Sequence, residues 1–207
     1  MPKQHNLYID GQWTAGDAYV DNVSPSDAND VIGVYAQANP SQVEAALQAA
    51  NRAVLDWGDS PLESRFQMLM AIGNELIERS AELGELLARE EGKTRAEGIG
   101  EVYRSGQFFH YFAGEVHRQI DDRAESVRPG VEIDTRREPV GVVAIISPWN
   151  FPMATAVWKI APALAFGNAV IFKPANLVPA SAWALTEIIS RQEALPPGTF
   201  NLVMGSG

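Results

Sequence analysis

The sequence predicts an α/β protein: part of a doubly wound parallel sheet, preceded by a hairpin and helices and interrupted by a protruding arm. Three observations predict it. Apolar runs at Val140–Ile146, Ala169–Phe172 and Phe200–Met204 alternate with helical segments, the strand–helix–strand–helix–strand order of half a nucleotide-binding sheet. Upstream, two helix starts carry Pro directly after a capping residue. Between these regions, Asp121 to Pro139 is polar and charged and fits neither pattern.

Taken in order, Asp10-Gly11 separates Leu7-Tyr8-Ile9 from Gln12-Trp13-Thr14, a hairpin signal within a region of short strands reaching Val23. Asn39 stands as an N-cap with Pro40 at the first helical position. Val43, Ala46, Leu47, Ala50, Val54 and Trp57 then share one helical face. Ser60-Pro61-Leu62-Glu63 reads as a capping box. It opens one helix through Phe66, Leu69, Ile72, Leu76, Leu83 and Leu87 to an end near Gly92. A third helical segment is expected from Thr94 to His117.

Asp121–Pro139 turns at Pro129-Gly130, and Val131–Arg136 alternates as a strand with one wet face. Val140–Ile146 is almost continuously apolar, as a strand buried on both faces is. A helix over Met153–Phe166 closes at Gly167. Ala169–Phe172 is a second buried strand, Pro179 to about Ala194 a second helix, and Phe200–Met204 a third strand. The expected divisions are residues 1–120, 121–139 and 140–207.

The 207 residues are 46% hydrophobic and 20% charged, an ordinary globular mix. A formal net charge of −10 argues against a nucleic-acid surface. There is no cysteine, so a disulfide framework, a thiolate metal site and a cysteine nucleophile are all excluded within these residues, and no metal site is expected. No apolar run reads as a signal peptide or a bilayer span, so the cytoplasm is the expected location and no membrane partner is expected.

Ligands of open parallel sheets sit beyond the carboxyl ends of the strands. Here those positions hold Ser147-Pro148-Trp149-Asn150-Phe151-Pro152, Lys173-Pro174-Ala175-Asn176 and Gly205-Ser206-Gly207. A cation at such a mouth suits an anionic or polyhydroxyl ligand, and a small-residue turn lets backbone approach one. The complete Gly-x-Gly-x-x-Gly dinucleotide signature is absent.

Glu138–Val143 running through Ser147–Pro152, the block Trp158–Asn168, and Lys173-Pro174-Ala175 resemble the aldehyde dehydrogenase superfamily, and the resemblance extends over nearly the whole chain. It implies oxidation of a small-molecule aldehyde to a carboxylic acid with NAD or NADP. Asn150 matches the side-chain amide that holds the developing oxyanion; a helix N-cap is the alternative, and the two are not exclusive. Lys173 matches the lysine at the adenosine ribose. Ile146, Ser147, Pro148 and Trp149 match the cofactor wall, with Ala175, Asn176 and Gly207 beside it. Phe151 and Trp158 match the substrate tunnel, against a core-packing reading for them and for Trp149. Lys159 matches a proposed proton relay, against a plain helix-surface charge. His5, His110 and His117 lie away from these segments and are assigned surface or packing roles.

Two departures qualify the resemblance. Many NAD-preferring members carry Glu where this chain has Asn176, so strict NAD preference is in doubt and NADP becomes plausible. Members are also more than twice this long, and the catalytic cysteine, the glutamate base and a Gly-rich turn match positions beyond Gly207. The chain alone is therefore expected to be inactive, with a non-catalytic binding or assembly fragment as the alternative. The arm matches the family's oligomerisation strands and implies a homodimer or homotetramer at full length. Lys173–Asn176 with Trp183-Ala184-Leu185 is similar to members acting on semialdehydes of dicarboxylic acids.

Overall fold

The computed structural model describes residues 3–118 and 121–206. β1 (Gln4–His5), β2 (Leu7–Ile9), β3 (Gln12–Thr14), β4 (Ala18–Val23) and β5 (Val31–Gln37) open the chain. Four helices follow: α1 (Pro40–Gly58), α2 (Leu62–Glu78), α3 (Ser80–Glu91) and α4 (Arg95–Val116). After β6 (Asp122–Glu125) and β7 (Glu132–Thr135) come β8 (Val142–Ile146), α5 (Ala154–Ala165), β9 (Ala169–Lys173), α6 (Pro179–Ser190) and β10 (Phe200–Leu202).

The main sheet has the order β3-β2-β10-β9-β8. Its β8, β9 and β10 are parallel, with Val143, Val170 and Phe200 in one row and Ile145, Phe172 and Leu202 two rows further on. The amino-terminal hairpin joins the same sheet, because β2 lies antiparallel on β10. The hairpin turn places Asp10 at φ 51° and Gly11 at φ 76°, the left-handed pair that a two-residue connection requires. Asn201 fastens that turn to the sheet. Its buried side chain accepts from the Asp10 N–H at 3.0 Å and donates to the Gly198 carbonyl at 2.6 Å. A separate sheet has the order β1-β5-β4, in which β4 falls within the region of short strands expected up to Val23, whereas β1 and β5 lie outside it.

α1 begins as expected, with a capping box between Asn39 and Gln42. Its buried face is Ala46, Ala49, Ala50, Ala53 and Trp57, whereas Val43 and Leu47 are exposed. The helix lies against β2, β8, β9 and β10, and small side chains allow that close approach. The Ser60 capping box does not form. Pro61 is the N-cap and bonds nothing through its side chain, because the Ser60 hydroxyl donates to the Trp57 carbonyl at 2.6 Å and accepts from Arg65. The expected single helix up to Gly92 is two. Arg79 breaks it, and apolar periodicity cannot register a one-residue jog. The end itself falls as expected, with Gly92 left-handed at φ 90°.

α4 starts from a Thr94/Glu97 capping box and crosses α2 and α3 at glycines. A Cβ at Gly98 would lie 2.3 Å from the Gly84 carbonyl oxygen, and one at Gly106 would lie 2.7 Å from that of Gly73. These crossings are backbone against backbone.

β6 and β7 pair only with each other among the described residues, and all their residues are exposed. The strand expected to have one covered face therefore has none. β8 also departs from expectation. It is an edge strand of the sheet in which Ile145 is buried while Ile146 is 72% exposed, and Val140 just before it is 89% exposed. Burial on both faces is realised in β9 instead, which has a neighbour on each side.

Candidate active site

Ile146 and Lys173, the last residues of β8 and β9, are register partners. Ser147 follows, its N–H donating to the Lys173 carbonyl at 3.3 Å. The Ser147 side chain is buried and its hydroxyl has no hydrogen-bond partner among the described residues. Lys173 is half-buried, and that burial lowers the affinity of its amine for a proton. Its Nζ donates to Asn176 Oδ1 at 3.2 Å. Ala175 is half-buried, whereas Pro148 and Asn176 are exposed. Ile146 and Trp149 stand out to solvent beside them, Trp149 at 53%. An orphaned hydroxyl, a cation carrying an amide and an apolar rim at the strand ends together fit a ligand with ribose hydroxyls and a flat ring. Gly207 lies outside the described residues.

Trp149-Asn150-Phe151-Pro152 leads into α5, which starts at Ala154 behind an N-cap, Met153, that gives no side-chain bond. Asn150 is therefore not the cap. It is exposed, its side-chain amide meets no partner among the described residues, and its carbonyl accepts from Lys93 Nζ at 3.2 Å. The buried amino end of α5 is met from α4. Glu101 Oε1 accepts the N–H groups of Met153 and Ala154, both at 3.0 Å, and Oε2 lies 2.7 Å from Lys93 Nζ. Lys93 also pairs with Glu91 at 2.9 Å and sits 4.3 Å from the Phe151 ring centre.

These groups border a cleft of about 590 Å³ whose wall includes Lys93, Arg104, Trp149, Asn150, Phe151 and Trp158. Phe151 and Trp158 are about half exposed, at 51% and 52%, so neither is a core residue here. Trp158 meets Phe108 edge-on at 5.4 Å. Lys159 is exposed, and its Nζ donates to the Thr155 carbonyl at 3.0 Å, the geometry of a helix-surface charge.

The same device recurs at α6. Glu90 is buried, accepts from the N–H groups of Ala180 and Ser181, and also takes Ser181 Oγ and Asn22 Nδ2. Burial pushes its carboxyl up to about 7, against these donors. Glu90, Lys93, Glu101 and Arg104 were not singled out in the sequence. A signal existed for the two acids. Glu90 continues the stripe of Leu83 and Leu87, and Glu101 falls among the buried Gly98, Val102 and Ser105. A charge on an apolar stripe must find buried partners.

The histidines stay out of the cleft. His5 stacks on Tyr35 at 4.6 Å, His110 Nε2 lies 2.9 Å from Asn74 Oδ1, and His117 lies 3.8 Å from Glu63. Among the described residues no group of three or more His, Cys, Asp or Glu could hold a metal ion, and no helix is long and apolar enough to cross a membrane.

The aldehyde dehydrogenase family pattern matches residues 13–207. Alpha-ketoglutarate semialdehyde dehydrogenase of Haloferax volcanii is 36% identical over 202 residues, covering 97% of this chain and 42% of that protein. The crystal structure of betaine aldehyde dehydrogenase from Staphylococcus aureus in complex with NAD+ superposes with a TM-score of 0.94 at 32% identity, over 98% of this chain and 41% of that one. An NADP-dependent enzyme of Escherichia coli gives a TM-score of 0.94 at 33% identity, over 99% and 43%. The chain thus spans about 42% of the length of the relatives it matches.

Proposed function

Because the chain belongs to the aldehyde dehydrogenase family, we propose that it carries the amino-terminal part of a cytoplasmic enzyme that oxidises an aldehyde to a carboxylic acid with NAD+ or NADP+. The substrate class we assign is the semialdehyde of a dicarboxylic acid, which the Haloferax relative's name supports. The observation that carries the reading is the Asn150 amide, unpartnered and exposed beside a cleft walled by Phe151 and Trp158.

In this reading a bound NAD+ or NADP+ would supply the hydride acceptor for the oxidation. The chain's own residues bind and orient. Lys173 and Asn176 hold ribose hydroxyls, and the Ser147 hydroxyl gains the partner it lacks. Ile146, Pro148, Trp149 and Ala175 form the wall, continuing towards Gly207. Phe151 and Trp158 line the path of the aldehyde. Asn150 Nδ2 donates to the carbonyl oxygen as negative charge develops there, and one such donor contributes about 3–4 kcal/mol to lowering the barrier. Lys159 is bonded to its own helix and receives no step.

A thiolate nucleophile cannot come from these 207 residues, which hold no cysteine. We therefore assign them no turnover alone, with a non-catalytic binding or assembly fragment as the second reading. The edges of the exposed β6–β7 hairpin suit pairing in a homodimer or homotetramer of the full-length protein.

The test is NAD(P)H production by the whole protein with a panel of aldehydes. Oxidation is expected, and Asn150→Ala is expected to lower kcat about 100- to 1,000-fold. No oxidation of any aldehyde, or full kcat in Asn150→Ala, sinks the reading.

A further inference from the structure

The cleft wall holds two cations, and carboxylates match only one of them. Lys93 lies within 2.9 Å of Glu91 and 2.7 Å of Glu101, with its side chain 11% exposed. Arg104 is exposed, and its Nη1 donates to Gln107 Oε1 at 3.1 Å. Its guanidinium carbon lies 6.0 Å from the Phe108 ring centre, and no carboxylate pairs with it among the described residues.

Position along the wall gives this cation a use. Glu97, Glu101, Arg104 and Phe108 recur at helical spacing on α4. Glu101 bonds the start of α5 at Ala154, and Phe108 meets Trp158 one turn later. α4 and α5 therefore run side by side in the same direction here, and Arg104 falls between the two contacts. Asn150 is held at the Glu101 end through Lys93. Arg104 lies about 4.5 Å beyond Glu101 along the axis of α4, towards the Phe108–Trp158 contact. The acids on this wall are already engaged. Glu91 and Glu101 share Lys93, while Glu97 accepts from Thr94 N and Oγ1 at 3.0 and 2.7 Å. Glu97 sits about 10 Å back towards the start of α4 from Arg104.

A guanidinium presents a planar fork of donors that fits a carboxylate, and one Gln amide leaves most of it unused. We propose that Arg104 takes the distal carboxylate of an aldehyde substrate whose carbonyl lies at Asn150. Arg104 is then the residue that selects short aldehydes carrying a carboxylate at the far end. The assignment rests on the aldehyde-oxidising reading above.

The experiment compares Arg104→Met and Arg104→Lys with the unaltered whole protein. Substrates are 4-oxobutanoate and 2,5-dioxopentanoate against butanal and pentanal. Arg104→Met should lose about 10- to 100-fold in kcat/KM on the two carboxylated aldehydes, mainly through KM. It should change little on the uncharged pair, and Arg104→Lys should fall between. Equal loss on both pairs, or none, overturns the proposal. A second arm needs no turnover: quenching of tryptophan fluorescence by glutarate, with Trp149 and Trp158 in the wall. Glutarate should quench the unaltered protein and not Arg104→Met. Quenching by neither or by both overturns the carboxylate site. Selective quenching in a protein that oxidises no aldehyde leaves that site standing and removes the aldehyde reading instead.

Discussion

Glu101 on α4 caps the amino end of α5, its Oε1 accepting the Met153 and Ala154 N–H groups at 3.0 Å each. The helix following the Trp149–Pro152 segment therefore depends on a carboxylate from another helix. Its countercharge, Lys93, also holds the Asn150 carbonyl. Removing Glu101 leaves the buried Met153 and Ala154 N–H groups without their acceptor and Lys93 with Glu91 as its remaining carboxylate, at about 3–5 kcal/mol. Glu101→Ala is expected to lower the unfolding free energy by that order in urea titrations, and to speed amide exchange at Met153 and Ala154. Glu101→Gln keeps an acceptor oxygen and should recover part of the loss. A loss under about 1 kcal/mol in Glu101→Ala would contradict this account.

Glu90 makes stability depend on pH near neutrality. Burial raises its carboxyl from 4.5 to about 7 in the folded protein. The folded state then binds this proton more tightly than the unfolded chain does. Its contribution is full below about pH 4.5 and is lost as pH rises through about 7. Glu90→Gln removes the titration. The unfolding free energy of the unaltered protein minus that of Glu90→Gln should fall across this window by a few kcal/mol. A difference that stays flat from pH 4.5 to 7.5 refutes the assignment.

The α3–α4 crossing predicts opposite signs for two similar substitutions. A Cβ at Gly84 would lie 2.5 Å from the Ile99 backbone, so Gly84→Ala must push the helices apart and should cost about 1–3 kcal/mol. Gly100 lies in the interior of the same α4 with nothing within 4 Å of its Cβ position. Gly100→Ala should stabilise by about 0.5–1 kcal/mol. Thermal unfolding of the two variants decides it, and a shift of equal sign in both would be inconsistent with the packing.

Asn176 is the residue on which cofactor choice should turn. Its Oδ1 lies 3.2 Å from Lys173 Nζ, so Asn176→Glu places a carboxylate beside that amine and beside any ribose phosphate. Like-charge repulsion should then lower kcat/KM with NADP+ by at least about tenfold relative to NAD+ in the whole protein. Equal change with both cofactors counts against the proposed ribose contact.

Some features were legible from a few neighbouring residues. The Asp10-Gly11 turn, the Asn39 cap and the helix stop at Gly92 each follow from local backbone and side-chain chemistry. The apolar run Ala169–Phe172 likewise needed only its own texture to read as a buried strand. The Ser147–Pro152 and Lys173–Ala175 segments were legible as the candidate site because strand ends place ligands and the motif is specific. What surrounds that site was not. Val140–Ile146 has the same texture as β9, yet it lies at the sheet edge with Ile146 exposed, since burial depends on which strand pairs beside it. The Asp10–Asn201 bond joins residues 191 apart, and the Glu101–Met153 bond joins residues 52 apart. By itself the sequence determined the local elements, the family and the segments at the strand ends. Tertiary structure alone decided the mixed sheet, the trans-capped α5 and the aromatic cleft with its unmatched Arg104. Those features are set by packing between distant segments, whose partners no local pattern encodes.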